Sequence, residues 1–257
     1  MGSNPVSKEY TNLIIVCCHS IYIGNGDSLS EPEWVLQPFQ QSNPQTGKPG
    51  EQETFITHIV VGTQALEHDP QAMLILSGGK TTVESERSEA ESYAIVLKRL
   101  NGDKYTDRVL KEEIATDSYQ NLIFSILRFR QHTGRYPGHV TVITHAFKQR
   151  RFLDLHAPAI KWPGHSIRVQ GINPPMTSKE ISHTRDSEME KAYGEFQKDY
   201  YGVGKALGGK RKARHWKAER AEYAFASLEP SILGLLSWSG GSTGTELFPE
   251  RVPWEED

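Results

Sequence analysis

Small, polar or titratable side chains follow each of five short apolar segments of this sequence. If these segments are parallel strands, their carboxyl ends meet at one edge of a sheet, where ligands bind in such folds. His19, Glu112 and His145 would then lie together, and imidazole and carboxyl groups exchange protons near neutral pH. We predict these three as catalytic residues, although a histidine alone is more often only a hydrogen-bonded polar residue. The groups are Cys18 to Ser20, Ser77 to Gly79, Glu112 with Glu113, Thr144 with His145, and Asn173.

The run Ser-Gly-Gly-Lys-Thr from Ser77 to Thr81 predicts a site for an anionic or ribose-bearing ligand. Glycines expose backbone amides, and the lysine and hydroxyl groups add donors. The run is not a P-loop, because that motif needs glycine where this chain has Leu74. An ordinary glycine turn is the alternative interpretation. The pair Gly24 and Gly26 lacks the third glycine of the dinucleotide motif and predicts only a turn.

Basic residues form two groups that could hold an anion. Lys148 and Arg151 follow the fourth apolar segment and would reach a phosphate or carboxylate in the crevice, unless they lie on a solvated face. The second group spans residues 205–220 and includes Trp216. Because the whole chain carries a net charge of -3, we expect basic surface or an anion clamp there rather than nucleic-acid binding.

The two cysteines, Cys17 and Cys18, are adjacent and cannot form a disulfide framework or supply zinc-ligand spacing. Cys18 precedes His19, and an imidazole can stabilise a thiolate, so a cysteine-dependent hydrolase is one hypothesis. Neighbouring side chains of a strand point to opposite faces, which favours simple packing instead. The histidines show no His-x-x-x-His pair, so we predict no metal site.

Hydrophobic periodicity predicts alternating strands and helices. Apolar, β-branched runs indicate five strands at residues 12–18, 72–76, 109–114, 139–144 and 166–171. Helical spacing indicates helices at 55–67, 85–100, 117–132 and 148–157. Alternation of this kind is typical of a mostly parallel sheet covered by helices on both faces. We therefore predict an α/β protein with a Rossmann-like three-layer sandwich and a C-terminal helical and extended tail.

The composition suggests one core domain with an appendage. We place the core at residues 1–175, with an insert at 24–50 that could act as a lid, and the appendage at 176–257. Hydrophobic residues make up 37% of the 257 residues, and no run approaches the length of a membrane span. The polar N-terminus lacks a secretory signal pattern, so we expect a cytoplasmic protein with no membrane partner.

The order of these motifs resembles that of the DUF218 proteins, a Rossmann-like group with bacterial members assigned to the cell envelope or to S-adenosylmethionine binding. The family has three blocks of motifs, and each resembles a part of this chain. The first resembles Ser77-Gly78-Gly79 followed by Ser88-Glu89-Ala90, the second Glu112 with Asn121, and the third Thr144-His145 with Arg151. The chain departs from the pattern at Asp117, Gln120 and Lys148. These departures, and a Tyr-Gly-x-Gly stretch at 201–204, look like the fungal branch.

The resemblance implies a small-molecule site at the strand ends, with S-adenosylmethionine as the best candidate ligand. The glycine-rich first turn usual in methyltransferases is absent, so the implied enzyme, transferase or hydrolase-like, has no assigned reaction. A non-catalytic module that senses a ligand or binds a partner is the alternative. The implied ligand-binding residues are Ser77, Gly78, Gly79, Glu89, Asn121, Thr144, Lys148 and Arg151, with Glu112 beside them.

Overall fold

The computed structural model describes residues 9–24, 26–83 and 85–255. Its main sheet has five parallel strands in the order β5-β4-β1-β6-β7. A two-stranded antiparallel ribbon pairs β2 with β3. The predicted strands are all present, and their ends differ by one or two residues from the expected ones. The strands are β1 Asn12–Cys17, β2 Ile21–Tyr22, β3 Trp34–Val35, β4 Ala72–Ser77, β5 Val109–Glu112, β6 His139–Thr144 and β7 Ile167–Gly171.

Helices cover both faces of this sheet, as expected for a Rossmann-like three-layer sandwich. Three of the helices begin at side-chain caps, where the side chain accepts an amide hydrogen bond: Ser88 before α2, Asp117 before α3 and Thr177 before α5. Gly134 ends α3 in the left-handed conformation. The helices are α1 Gln52–His68, α2 Glu89–Asn101, α3 Ser118–Thr133, α4 Ala157–Ala159, α5 Ser178–Glu188, α6 Gly194–Phe196, α7 Lys205–Ala213, α8 Ala218–Phe225 and α9 Pro230–Ser237.

Alternation along the strands divides the apolar residues between two cores. Ile14 and Val16 of β1 pack with α1 and α2 on one face of the sheet. Leu13, Ile15 and Cys17 pack with α3 on the other face. Because helices shield both faces, the central strands β1, β4 and β6 are buried along most of their length, which is the pattern that identified them in the sequence.

The chain reverses its direction of sheet growth at β1. It moves from β1 through β4 to β5 at one side, and then returns by α3 to place β6 on the opposite side of β1. Open α/β sheets bind ligands at such a reversal, beyond the carboxyl ends of the two strands. In this protein that position lies between Cys17 and Thr144.

The insert at 24–50 is anchored to the core by Trp34. This indole packs against Tyr22, Phe55 and Tyr93, with ring centroids 5.4 to 5.9 Å apart. Its Nε1 donates to the carbonyl oxygen of Ser28 at 2.8 Å. The described part of the insert therefore contains an ordered ribbon and short 3₁₀ turns rather than an unpacked loop.

The helix predicted at 148–157 is present, but its geometry is mixed. It consists of a 3₁₀ turn at Ala146–Lys148, a π-helical turn at Arg151–His156 and the short α4, with helical backbone at Gln149 and Arg150 between the first two. Pro158 lies within α4. The C-terminal tail, predicted to be helical and extended, includes α9.

The appendage contributes to the same apolar core as α3. Tyr193, Phe196, Leu207, Phe225 and Ile232 are all buried in this cluster. The C-terminal Trp254 reaches back to the core, where its Nε1 donates to the carbonyl oxygen of Ile160 at 2.8 Å. Within the described ranges, no helix has the length and apolar character that crossing a membrane requires.

Candidate functional site

His19, Thr144 and Lys148 meet where the sheet reverses direction. Lys148 Nζ lies 3.2 Å from His19 Nδ1, and Thr144 Oγ1 lies 3.3 Å from His19 Nε2. Since the ammonium group is only a donor, Nδ1 accepts from Lys148, and the neutral ring donates from Nε2 to the threonine hydroxyl. The structure therefore brings three of the predicted site residues together at the ends of β1 and β6.

Lys148 is a half-buried cation without a close counter-charge. Burial, reinforced by the charge of Arg151, lowers the pKa of Lys148 to about 8. Among the described residues, no carboxylate oxygen lies within 4.0 Å of its ammonium group. An anion bound at this position would stabilise the charged lysine.

His145 stacks on His19, with ring centroids 4.5 Å apart and an angle of 26° between the planes. His58 of α1 lies with its edge toward His145 at 5.1 Å, and Glu51 Oε2 lies 3.8 Å from His145 Nε2. Neither ring nitrogen of His145 has a hydrogen-bond partner in the described part of the chain. Sequence analysis did not select His58 or Glu51, because Glu51 precedes α1 and His58 lies within it, and neither follows a strand.

Burial decides the protonation of this histidine cluster. It holds the pKa of His19 and of His145 well below the usual range, and nearby Lys148 acts in the same direction. Burial also lowers the pKa of His58 to about 4. The imidazoles are therefore neutral at pH 7. The two histidines predicted as catalytic residues do meet, but the surroundings oppose the imidazolium form that a proton carrier must adopt.

Ser77, Glu112 and Asn121 form a hydrogen-bonded group at the ends of β4 and β5. Ser77 Oγ donates to Glu112 Oε2 at 2.5 Å, and Asn121 Nδ2 donates to Ser77 Oγ at 2.9 Å. Glu112 Oε1 accepts from the amides of Ile114 and Ala115 at 2.6 and 2.9 Å. Burial raises the pKa of Glu112 to about 7 despite these hydrogen bonds. Because both of its oxygens are occupied, Glu112 positions the loop after β5.

The sequence analysis expected Gly78 and Gly79 to present free amides to a ligand. In the structure both amides are already hydrogen-bonded within the protein. The amide of Gly78 donates to the carbonyl oxygen of Glu112 at 3.0 Å, and the amide of Gly79 donates to that of Ala115 at 2.6 Å. A Cβ at Gly79 would lie 2.9 Å from the Ala115 oxygen. The glycines therefore allow the two loops to approach closely, which is a packing role.

Glu89 begins α2 beside this loop. Its Oε1 accepts from Thr81 Oγ1 at 2.6 Å, and its Oε2 would lie 2.7 Å from a Cβ at Gly78. Burial raises the pKa of Glu89, while the charges of Arg214 and Lys148 lower it. This carboxyl therefore lies within the electrostatic reach of both basic groups that the sequence indicated.

Arg151, predicted to bind a ligand at the strand ends, is instead paired within the protein. Its Nη2 donates to Glu188 Oε2 at 2.9 Å, and its Nη1 donates to Ser118 Oγ at 3.3 Å. The same hydroxyl lies 2.8 Å from Nε2 of the buried His156. Glu188 belongs to α5, so the appendage supplies the counter-charge, which no local spacing could have revealed.

We expect the cysteines to react slowly with thiol reagents in the folded protein. Cys18 is 4% exposed and Cys17 is 1% exposed. Burial raises the pKa of Cys17 to about 12 and that of Cys18 well above its usual value. Labelling with a chromogenic disulfide at pH 7.5 should proceed at the rate of unfolding. Labelling within seconds under native conditions would contradict this expectation and would favour the cysteine-hydrolase hypothesis.

The described residues contain no group of three or more histidine, cysteine or acidic side chains that could hold a metal ion. What they offer to a ligand is instead a cation, neutral imidazoles, hydroxyl groups and a carboxyl group. These groups line the ends of β1, β4 and β6. Such a set is able to bind an anionic or polar small molecule by hydrogen bonds and charge.

The chain is similar to Uncharacterized protein YOR238W of Saccharomyces cerevisiae. The two are 28% identical over 270 residues, which cover 84% of this chain and 87% of the relative. No family model matches the chain, and no solved structure matches it. Residues 1–175 make up less than 84% of the 257 residues of the chain. The matched region therefore includes part of the appendage as well as the core. The core and at least part of the appendage therefore have a counterpart in a fungal protein.

Proposed function

We propose that this is a cytoplasmic protein of the DUF218 type that binds an anionic or nucleotide-like small molecule at the carboxyl ends of the strands. The position of Lys148 carries the proposal. It is a half-buried ammonium group at the reversal point of the sheet, hydrogen-bonded to the neutral His19 and without a close carboxylate among the described residues. An anionic ligand group supplies the charge that this lysine lacks.

S-adenosylmethionine is the preferred candidate ligand, because it combines a carboxylate with a ribose and an amine. Its carboxylate would contact Lys148, and Glu89 would accept from the ribose hydroxyls or the amine. His19 contacts both Lys148 and Thr144, so these two side chains lie beside the proposed carboxylate position. In this proposal Ser77, Asn121 and Glu112 hold the loop in place, and the protein is an enzyme whose reaction is of the transferase or hydrolase-like kind.

The test is titration calorimetry with S-adenosylmethionine, S-adenosylhomocysteine, ATP and NAD, each at millimolar concentration. At least one of these compounds should bind, and Lys148→Met should weaken that binding by about tenfold, which corresponds to about 1.4 kcal/mol for one charged contact. Lys98→Met is the matched control, because Lys98 lies exposed at the other end of α2 and pairs with Asp103 at 2.8 Å.

Two outcomes would reject the proposal. If none of the four compounds binds, the proposed nucleotide-like ligand is rejected. Equal loss of affinity in Lys148→Met and Lys98→Met would show that net charge, not the strand-end position, controls binding.

A non-catalytic binding module is the second candidate function, and the neutral histidines favour it. Both predicted proton carriers, His19 and His145, are held uncharged by burial, which removes the obvious acid or base. The two candidates differ in whether the bound compound changes. Mass spectrometry of the ligand after incubation with the protein and a metabolite extract should show a new product for an enzyme, and the unaltered ligand for a sensor.

A further inference from the structure

A cavity of about 100 Å³ lies where the appendage meets the core, and cationic side chains dominate its lining. Arg151 and Arg211 are buried in its floor, being 8% and 6% exposed. The exposed side chains of three further basic residues surround them. The six polar lining residues are Asp117, Arg151, Lys191, Lys210, Arg211 and Arg214.

The two buried arginines are each paired with one carboxylate. Arg211 Nε donates to Asp117 Oδ2 at 2.6 Å, and Arg151 Nε lies 2.8 Å from Glu188 Oε1. Across the described ranges, Lys191, Lys210 and Arg214 have no carboxylate oxygen within 4.0 Å. The cavity therefore keeps an excess of positive charge after its internal ion pairs are formed.

Residues that line this cavity keep unused hydrogen-bond donors. Arg214 uses Nη1 for the carbonyl oxygen of Thr116 at 2.5 Å, and Lys210 donates one proton to the carbonyl oxygen of Lys191. Each of these two side chains has further N–H groups to donate. Arg211 Nη2 lies against Gly202 and has no partner among the described residues. An anion bound in the cavity would accept from the remaining donors of Arg214 and Lys210.

The dipole of α7 explains only part of this arrangement. Cations are favoured near a helix C-terminus, and Lys210, Arg211 and Lys212 lie in the last turn of α7. Lys212, however, does not line the cavity, whereas Arg151 and Lys191 line it from other elements of the chain. Convergence of basic side chains from three parts of the sequence requires a reason other than the dipole.

We propose that this cavity binds the phosphate group of a phosphorylated small molecule. Guanidinium groups form paired hydrogen bonds with phosphate oxygens, which suits the two arginines and the surrounding lysines. The cavity of about 100 Å³ has room for one phosphate group. Because its lining does not include Lys148, this site goes beyond the strand-end function proposed above.

The test is calorimetric titration of the full chain with inorganic phosphate, with chloride at matched ionic strength as the reference. Wild type should bind phosphate, and the double variant Lys210→Gln/Arg214→Gln should bind it at least about tenfold more weakly. Lys205→Gln/Lys212→Gln is the matched control, because it removes the same charge from the same helix outside the cavity. Lys148→Met should retain phosphate binding, which separates this site from the strand-end site.

Three results would overturn the proposal. Phosphate giving no more heat than chloride would mean that the cavity does not bind an oxyanion. Equal weakening in both double variants would assign the effect to net charge. Loss of phosphate binding in Lys148→Met, with retention in Lys210→Gln/Arg214→Gln, would place the anion at the strand ends and leave only the function proposed above. Far-ultraviolet circular dichroism and melting temperatures of the variants should match those of wild type, because the substituted residues are all exposed except the half-buried Lys148.

Discussion

Lowering the pH from 7 to 5 should reduce the free energy of unfolding by roughly 2 kcal/mol. Burial lowers the pKa of His58 to about 4 and that of His156 to about 3. In the unfolded chain these rings protonate near pH 6.5, so their stabilising contribution is complete above that pH and decreases as the pH falls. At pH 5 each ring accounts for a loss of about 2 kcal/mol. His19 and His145, whose pKa values are also lowered, add to this loss.

Three carboxyl groups whose pKa values are raised by burial, Glu112, Glu51 and Glu89, oppose the histidines in the same pH range. The pKa of Glu112 is raised to about 7, so its ionisation destabilises the folded protein above its unfolded pKa of about 4.5. Acidification from pH 7 to 5 therefore recovers about 2 kcal/mol through Glu112. The losses at His58 and His156 together exceed this recovery, which sets the sign of the prediction.

Chemical unfolding in urea at pH 7 and pH 5 measures the effect, and a pair of variants assigns it. His156→Gln should reduce the pH-dependent loss by about 2 kcal/mol, because glutamine does not titrate. His132→Gln, at an exposed position of α3, should leave the loss unchanged. Identical pH profiles for wild type and His156→Gln would contradict the assignment.

Glu112→Ala should destabilise the protein by about 3 kcal/mol at pH 6. The substitution leaves three buried donors without their acceptor, namely the Ser77 hydroxyl and the amides of Ile114 and Ala115. Each unsatisfied buried donor costs about 1 to 3 kcal/mol, and part of this total is offset because the buried carboxyl is itself unfavourable. The midpoint of urea unfolding at unchanged slope measures the loss.

Two further variants define the origin of that loss. Glu113→Ala removes the adjacent exposed carboxylate and should change stability by less than about 1 kcal/mol. Glu112→Gln keeps an acceptor for the two amides and cannot ionise, so its stability should vary less than that of wild type between pH 5 and 8. A Glu112→Ala protein as stable as the Glu113→Ala protein would mean that Glu112 does not hold the loop.

The sheet and its flanking helices were predictable because their signals are local. The apolar runs that form β1 and β4 are continuous, and the caps Ser88 and Asp117 lie at the spacing that begins a helix. The π-helical turn at Arg151–His156 was not predictable, since it shares the apolar spacing of an α-helix over six residues.

The candidate site was predictable only where it follows the strands. His19, Thr144 and His145 come together because the carboxyl ends of parallel strands share one edge. The contact between Asp117 and Arg211 joins residues 94 positions apart, and neither sequence spacing nor charge pattern specifies it. Basic residues at 205–220 suggested an anion clamp, but only the fold shows that they share a cavity with Arg151.

The central claim is that a small molecule with an anionic group binds at the ends of β1, β4 and β6. A crystal structure of the protein, grown with the compound that binds most tightly in calorimetry, tests it most directly. We predict ligand density at the reversal point of the sheet, with an anionic oxygen within about 3 Å of Lys148 Nζ. Density at another surface, or strand ends closed by apolar side chains, would contradict the claim.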